Sequence, residues 1–265
     1  MVAPVKLFDL PPGHWSAELF GDLKHVWDVL ERIKDFAHTL VQRHGSTARI
    51  AGVGMVERLV VIHGGQVVEG ARVVGGAASK GEFKVEIDGR VLTDAVVIYP
   101  GAVLMDERVH LGPGTVVEPG ALIAGPTYVE GNAEIRQGAY VRGGCIVGSG
   151  CVVGHTTEMK NAVMLPGAKA GHFAYIGDSV LGRDTNLGAG TKLANLKVVP
   201  GPVRIRVGPE VHELPRRKVG AILGDKAQTG CNSVTNPGTV LGRRVIVAAC
   251  KSVAPGYYPD HSVVR

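Results

Sequence analysis

The chain has 265 residues, of which 45% are hydrophobic, and a formal net charge of +5, so it can form one large domain or two small ones. It contains no apolar run of about 18 residues, and residues 1–15 lack the apolar stretch of a signal peptide. We therefore expect a cytoplasmic protein with no membrane partner. The basic residues are scattered without interleaved aromatic residues, which argues against a nucleic-acid partner.

Glycine and cysteine usage narrows the fold class. The chain has 38 glycines, whereas Phe, Trp and Tyr make up only 5%, which is typical of a fold with many tight corners and small interior side chains. The four cysteines form no CxxC pair. A chain of this size does not need disulfides, so we expect reduced, buried thiols.

The N-terminal third contains two kinds of pattern. Residues 16–44 place apolar residues at helical spacing, which predicts one amphipathic helix or two helices broken near Gly21, with Gly45 as the stop. Residues 46–97 are rich in valine and glycine, which indicates either short strands and hairpins or an irregular first coil of a solenoid. The pattern leaves both alternatives open.

A hexapeptide repeat begins at Leu111. Every sixth residue is aliphatic or Met, namely Leu111, Val117, Ile123, Val129, Ile135, Val141, Val147, Val153, Met159 and Leu165. Four residues after each lies a small side chain in all but the last two cases, Val163 and Lys169. This alternation predicts a parallel β-helix in which three hexapeptides close one coil.

The repeat resumes at Leu223 and continues to about residue 255. We therefore predict a mainly β protein with an N-terminal helix plus a small β-rich region over 1–95. The β-helix domain covers 96–265, with a loop insertion at about 197–218 that forms a β-hairpin. Cys145 and Cys151 occupy consecutive small-residue positions, so their expected role is packing.

The six-residue spacing of the repeat is interrupted around His172. Counting by six from Leu165 predicts aliphatic residues at 171, 177 and 183, but they fall at Ile176, Leu181 and Leu187. Such irregularities in a regular stack concentrate at functional sites. Histidine is also the natural general base near neutral pH.

Two cations are predicted to stack near this break. Arg142 and Lys160 each follow an inward position and are one coil of 18 residues apart, so they share a face. With no carboxylate in their column they would repel each other unless an anion such as phosphate bridges them; the alternative is that both are solvated surface residues. His172 is predicted on a different face, and a three-fold assembly could bring the two sets together.

Metal ligation is not expected. No two histidines are four or five residues apart, and no HExxH motif is present. A zinc site of the kind found in trimeric β-helix carbonic anhydrases therefore lacks its spacing.

The segment "EMKNAVMLPGAKAGHFAYIGDSVLGRDTNLGAGTKLAN" resembles a known family. It is similar to the acetyltransferase half of the bifunctional enzymes that acetylate glucosamine-1-phosphate and then make UDP-N-acetylglucosamine, most of all the archaeal-type sugar-phosphate nucleotidylyltransferase-acetyltransferases. The resemblance covers about residues 100–255. It implies a left-handed parallel β-helix, a homotrimer, and transfer of an acetyl group from acetyl-CoA to the amine of an amino-sugar phosphate, with no metal.

The resemblance also implies residue roles. His172 corresponds to the general base, and substrate-binding residues correspond to Arg142, Lys160, Tyr175 and Asn186. Residues on the acetyl-CoA side correspond to Ala189, Asn195, Cys231 and Ala249.

The chain departs from the family pattern in three places. The motif CNYDG and the lysine that follows it are replaced by "ANLKVV", for which Lys197 or Lys218 could substitute, and Cys231 stands where relatives have serine. The glycine-rich loop of a nucleotidylyltransferase domain is missing, so we expect no uridylyl transfer. Two alternatives to the acetyltransferase remain: a catalytically reduced trimer that binds a sugar nucleotide or metabolite, and, less favoured, a metal-dependent hydratase.

Overall fold

The computed structural model describes residues 1–265, and the hexapeptide region forms a left-handed parallel β-helix of about nine turns. Each coil contributes one strand to each of three parallel sheets, which we call the first, second and third faces in the order in which the chain visits them. The first edge joins the first and second faces, and the second edge joins the second and third. The predicted fold class is confirmed.

The strands of the first face are Val60–His63, Gln66–Val67, Val96–Ile98, Val116–Val117, Glu134–Ile135, Val152–His155, Lys169–His172, Asn186–Leu187, Gln228–Thr229, Ile246–Val247 and Val263–Val264. Those of the second face are Gly54–Met55, Val103–Leu104, Leu122–Ile123, Tyr140–Val141, Glu158–Lys160, Tyr175–Gly177, Lys192–Leu193, Val234–Thr235 and Ser252–Val253. Those of the third face are Val109–Leu111, Thr127–Val129, Cys145–Val147, Ala162–Met164, Val180–Leu181, Ala221–Leu223, Thr239–Leu241 and Gly256–Tyr258.

The interior of the prism is the main hydrophobic core. Its 39 buried residues are the large aliphatic residues and the small alanines and cysteines of the repeat. A large side chain fills the centre of each face while a small one fits beside the corner, so the coils stack at strand spacing.

The break in the repeat is placed differently from the sequence prediction. Val147 pairs with Met164, and Met164 pairs with Leu181. The inward residue after Met159 is therefore Met164, and the prediction of Leu165 was wrong. Ala162 and Ala168, not Val163 and Lys169, belong to the small-residue series, since both are buried in the interior core.

The cause of the break is a pair of shortened corners at the second edge. Three residues, 142–144, turn the corner in one coil, whereas only Asn161 lies between the strands of the next. Asn161 and Asp178 make these turns in the left-handed region, with φ of 44° and 46°. The two corners bracket His172 in the sequence, but both lie at the edge that carries Lys160 and Asp178.

The N-terminal helices cover the third face. They are Pro4–Leu7, Trp15–Phe20 and Ile33–His44, with a 3-10 turn at Val26–Glu31, whereas the helix Thr47–Ala51 packs on the interior core and the 3-10 turn Ala78–Lys80 packs on the first face. Their apolar side chains share a 25-residue cluster with outward residues of the third face such as Ile146 and Val163. The segment predicted as one or two helices is thus broken near Gly21 and again before Ile33, and Gly45 ends the long helix as expected. No helix is long and apolar enough to cross a bilayer.

The segment left open by the sequence combines both alternatives. Gly54–Met55 and Val60–His63 join the first coil as antiparallel strands. Strands Arg72–Gly75, Lys84–Ile87 and Arg90–Leu92 form a small antiparallel sheet. The insertion after Leu193 folds as an antiparallel hairpin of Val203–Val207 and Glu210–Leu214. A domain boundary near residue 95 stays a prediction.

Two glycines show how tightly the coils stack before the histidines of the first edge. A Cβ on Gly154 would lie 1.9 Å from the carbonyl oxygen of Gly171, whereas a Cβ on Gly171 would meet no heavy atom within 4 Å. Because Gly154→Ala must push backbone apart, we expect it to lower the free energy of unfolding by about 2–3 kcal/mol. Gly171→Ala is the matched control and should stay near wild type. Denaturant unfolding of both variants measures the difference, and equal midpoints would contradict the packing described.

Candidate functional site

Arg142 and Lys160 stack at the second edge, as predicted. Their preceding residues, Val141 and Met159, are register partners in adjacent coils. The prediction that no carboxylate accompanies them was wrong. Arg142 Nη1 donates to Glu158 Oε1 at 2.7 Å, and Lys160 Nζ lies 3.6 Å from Asp178 Oδ2. The two cations are therefore neutralised within the chain instead of repelling each other.

A polar network extends from this pair across the edge. Asn161 and Asn195 donate their side-chain amides to the two carboxylate oxygens of Asp178, at 2.9 and 2.5 Å, and Tyr175 Oη donates to Asn195 Oδ1 at 3.3 Å. Burial, with the nearby carboxylates, raises the pKa of Tyr175, so its hydroxyl stays a donor. Asp178 thus organises two amide donors and one ammonium group around its carboxylate oxygens.

Asn195 belongs to this network within one chain. It is 8% exposed, and its side chain is hydrogen-bonded to Tyr175 and to Asp178. The tyrosine passes over Gly177, where a Cβ would lie 2.6 Å from its hydroxyl oxygen. A glycine is needed there for Tyr175 to reach Asn195.

A cleft of about 650 Å³ opens at the second edge between the β-helix, the Val26–Glu31 turn and the hairpin. Seven cations line it: Lys34, Arg108, Arg142, Lys160, Arg216, Arg217 and Lys218. Only two carboxylates line it, Glu31 and Asp178. The arrangement suits a strongly anionic ligand.

The return segment of the hairpin, residues 216–218 directly after its second strand, contributes three of these cations. Lys218 pairs with Leu196 in an isolated bridge at the base of the hairpin, next to Asn195. Lys197, the other sequence candidate to replace the lost lysine, donates to the carbonyl of Pro202 at 3.0 Å. The sequence alone does not place the basic run at 216–218 in this cleft, because a hairpin's orientation is set by its packing against the helices.

His172 lies at the first edge, in a different column. His155, His172, Ala189, Cys231 and Ala249 each follow an inward residue by two positions, and those inward residues are register partners through successive coils. The backbone ladder continues through the column: Gly190 N–H donates to the His172 carbonyl at 3.0 Å, and Asn232 N–H to the Ala189 carbonyl at 2.8 Å. The predicted base and three predicted coenzyme contacts therefore form one line.

The two stacked histidines differ in their hydrogen bonds. His155 Nδ1 lies 3.0 Å from the carbonyl of Gln137, and its Nε2 lies 3.2 Å from Thr156 Oγ1. The exposed His172 ring forms no side-chain hydrogen bond and has Phe173 beside it, with centroids 6.3 Å apart. Only His172 offers an unengaged imidazole to a ligand.

The predicted site residues thus divide into two groups. Tyr175 and Asn195 join Arg142 and Lys160 around the second edge and face. Asn186 is exposed on the first face, paired with Lys169 and Gln228, and belongs with the His172 column. His172 does not line the cleft that holds Arg142 and Lys160.

The cysteines also divide. Cys145 and Cys151 are buried in the core, and burial raises the pKa of each thiol to about 12, as a packing role predicts. Cys231 and Cys250 are exposed, so the expectation that all four are buried was wrong. They lie at the first edge, where the corner leaves the interior.

Residues 123–255 match the family model described as the GMPPB C-terminal domain. The chain belongs to this family. The matched region contains both edges described above and every predicted site residue.

Curated relatives of this chain are longer proteins. The bifunctional sugar-1-phosphate nucleotidylyltransferase/acetyltransferase of Sulfurisphaera tokodaii is 39% identical over 87 residues, which is 33% of this chain and 22% of that protein. The bifunctional protein GlmU of Methanococcus vannielii is 34% identical over 96 residues, 36% of this chain and 23% of that protein. The predicted resemblance is confirmed for this part of the relatives, and the chain matches less than a quarter of their length.

Among solved structures, PerB from Caulobacter crescentus in complex with CoA and GDP-perosamine is similar at a TM-score of 0.24. The two are 18% identical, and the match covers 63% of this chain and 52% of that one.

Proposed function

We propose that this protein is an acetyl-CoA-dependent N-acetyltransferase that acts on an amino-sugar phosphate such as glucosamine-1-phosphate, with His172 as the general base. The observation that carries the proposal is the combination of two sites: a cation-lined cleft beside Arg142 and Lys160, and an unengaged imidazole in line with small residues at the first edge. The name of one curated relative, a bifunctional sugar-1-phosphate nucleotidylyltransferase/acetyltransferase, supports it.

The reaction requires one proton to be moved. The amine nitrogen of the substrate attacks the thioester carbonyl of acetyl-CoA, and His172 accepts the proton that this nitrogen loses. The tetrahedral intermediate collapses with cleavage of the carbon–sulfur bond, and the proton passes from the imidazolium to the departing thiolate. The products are the N-acetylated sugar phosphate and free coenzyme A, so atoms and charge balance.

The first edge offers a binding line for the coenzyme. Ala189, Cys231 and Ala249 follow His172 at one coil each, so the line extends about 14 Å at a spacing of about 4.8 Å per coil. Small side chains leave the backbone groups of these corners accessible to an extended pantetheine arm. Its thioester end would then lie next to His172.

The residues around the second edge bind the substrate. Arg142 and Lys160 meet the phosphate, while Tyr175 and Asn195 offer donors and acceptors to the sugar and the acetyl oxygen. Asn186 completes the sugar contacts. No metal takes part in this scheme.

The two groups lie at different edges of one prism, so we propose a homotrimer in which neighbouring chains supply them to one site. Tyr140, Lys169 and Asn186 are exposed on the first and second faces and available for that contact, whereas helices cover the third face and the small antiparallel sheet covers the first coils of the first face. We place the reaction in the cytoplasm, where acetyl-CoA is available.

Release of free thiol tests the proposal. Purified protein incubated with acetyl-CoA and glucosamine-1-phosphate should release coenzyme A, and omission of the sugar should abolish the release. Glucosamine without phosphate is the control acceptor and should react far more slowly because it cannot engage Arg142 and Lys160. Acetyl-CoA binding without turnover on any amino-sugar phosphate would overturn the proposal and favour a metabolite-binding trimer.

A further inference from the structure

The excess positive charge of the cleft does not come from the stacked pair. Arg142 is paired with Glu158, Lys160 with Asp178, and Arg108 with Asp106. Lys34, Arg216, Arg217 and Lys218 line the same cleft and form no ion pair within the chain. The unneutralised charge therefore comes from the hairpin and the long helix, not from the β-helix.

Arg216 carries a second sign of a missing ligand. Its Nη1 is buried and has no hydrogen-bond partner. A buried guanidinium nitrogen without an acceptor costs free energy that an anion would recover. The polypeptide itself holds this region in place, because Val219 N–H donates to the Asn195 carbonyl at 3.0 Å and Gly220 N–H donates to the Asp178 carbonyl at 2.8 Å.

The lining also limits the chemistry of the ligand. Leu30 is the one hydrophobic residue of the cleft, and the lining contains no aromatic side chain. The cleft therefore recognises phosphate oxygens and does not offer a stacking platform for a base. A ligand with one phosphate bound to Arg142 and Lys160 would leave the hairpin cations and the buried Arg216 Nη1 without an anionic partner.

We propose that Arg216 and Arg217 form a second anion subsite beside Arg142 and Lys160, so that the cleft takes a diphosphate group and the acceptor is an amino sugar linked to a nucleoside diphosphate. This inference rests on the proposed function for the identity of the acceptor, but the diphosphate subsite itself does not. The first phosphate contacts the stacked pair, the second contacts the hairpin, and the nucleoside extends beyond the cleft.

Direct binding tests the subsite without any acetyl transfer. Isothermal titration calorimetry of the full chain with inorganic pyrophosphate and with inorganic phosphate should give at least about tenfold tighter binding of pyrophosphate, from the added charged hydrogen bonds. Arg216→Gln combined with Arg217→Gln should remove that preference and leave phosphate binding in place. Arg204→Gln is the matched control, because Arg204 lies on the same hairpin, exposed and paired with Glu213.

The outcomes separate this inference from the proposed function. Equal binding of the two anions, or a preference that persists in the double variant at an unchanged melting temperature, would overturn the second subsite. His172→Ala should retain the pyrophosphate preference, since it lies outside the cleft. In the thiol-release assay the nucleoside-diphosphate amino sugar should exceed the 1-phosphate in kcat/KM, and only for a chain with intact hairpin arginines. A third outcome is that the protein prefers pyrophosphate, that the amino-sugar 1-phosphate nevertheless reacts better, and that pyrophosphate does not compete with this substrate. In that case pyrophosphate occupies a separate ligand site, and the proposal of a nucleoside-diphosphate amino sugar as acceptor is wrong.

Discussion

Substitution of His172 by alanine should lower kcat for acetyl transfer by about 10²–10⁴-fold, the usual contribution of a positioned general base. The binding of the acceptor should change little, because His172 does not line the cleft that holds Arg142 and Lys160. Steady-state kinetics by thiol release, with both substrates saturating, measures the effect. A loss confined to KM would assign His172 to binding and remove it as the base.

His155→Ala is a close control for that variant. His155 occupies the same column one coil earlier and is its register partner, so both substitutions remove an imidazole from the same edge. His155 is hydrogen-bonded at both ring nitrogens, and its loss should affect stability more than turnover. Equal losses of kcat in the two variants would indicate that the edge is disturbed generally and that neither histidine acts as the base.

The sequence predicted the parts of the fold that depend on local periodicity. The six-residue spacing determines which side chains point inward. That pattern predicts the β-helix, the packing role of Cys145 and Cys151, and the stacking of Arg142 on Lys160. These are relations between residues one coil apart, and a constant coil length determines them.

One error arises where that length changes. Loss of one residue at the Asn161 corner moves the inward residue from the counted Leu165 to Met164. The carboxylates beside the stacked cations were within reach of the count, because Glu158 directly precedes an inward position and Asp178 follows Lys160 by 18 residues. Val163 and Lys169, large where small residues were expected, were the available signal for the first shortened corner.

The hairpin lay beyond periodic reasoning for another reason. Its buried Val203, Ile205 and Leu214 pack in the same cluster as the N-terminal helices, and Trp27 contacts His212 with centroids 5.3 Å apart. Contacts between segments nearly 200 residues apart decide which way its arginines face. The sequence of the run at 216–218 therefore does not reveal that its cations line the cleft.

A mixture of two inactive variants should recover activity if the site lies between chains. His172→Ala lacks the base, and Lys160→Ala should lose about 10–100-fold in kcat/KM through the missing charged contact to phosphate. In randomly mixed trimers, about a quarter of the sites combine an intact first edge from one chain with an intact second edge from its neighbour. Co-refolding equal amounts of the two variants should therefore restore about a quarter of wild-type kcat/KM.

The matched control mixes Lys160→Ala with Arg142→Ala. Both residues lie at the second edge of the same chain, stacked through the register of Val141 with Met159, so every second edge in that mixture carries one defect. Subunit exchange then restores nothing, and kcat/KM should stay at the level of the single variants. Recovery in the first mixture but not in the second requires that His172 and Lys160 act from different chains. Failure of both mixtures, with trimers confirmed by light scattering, would mean that one chain holds the whole site and that His172 swings over the second face to reach the sugar.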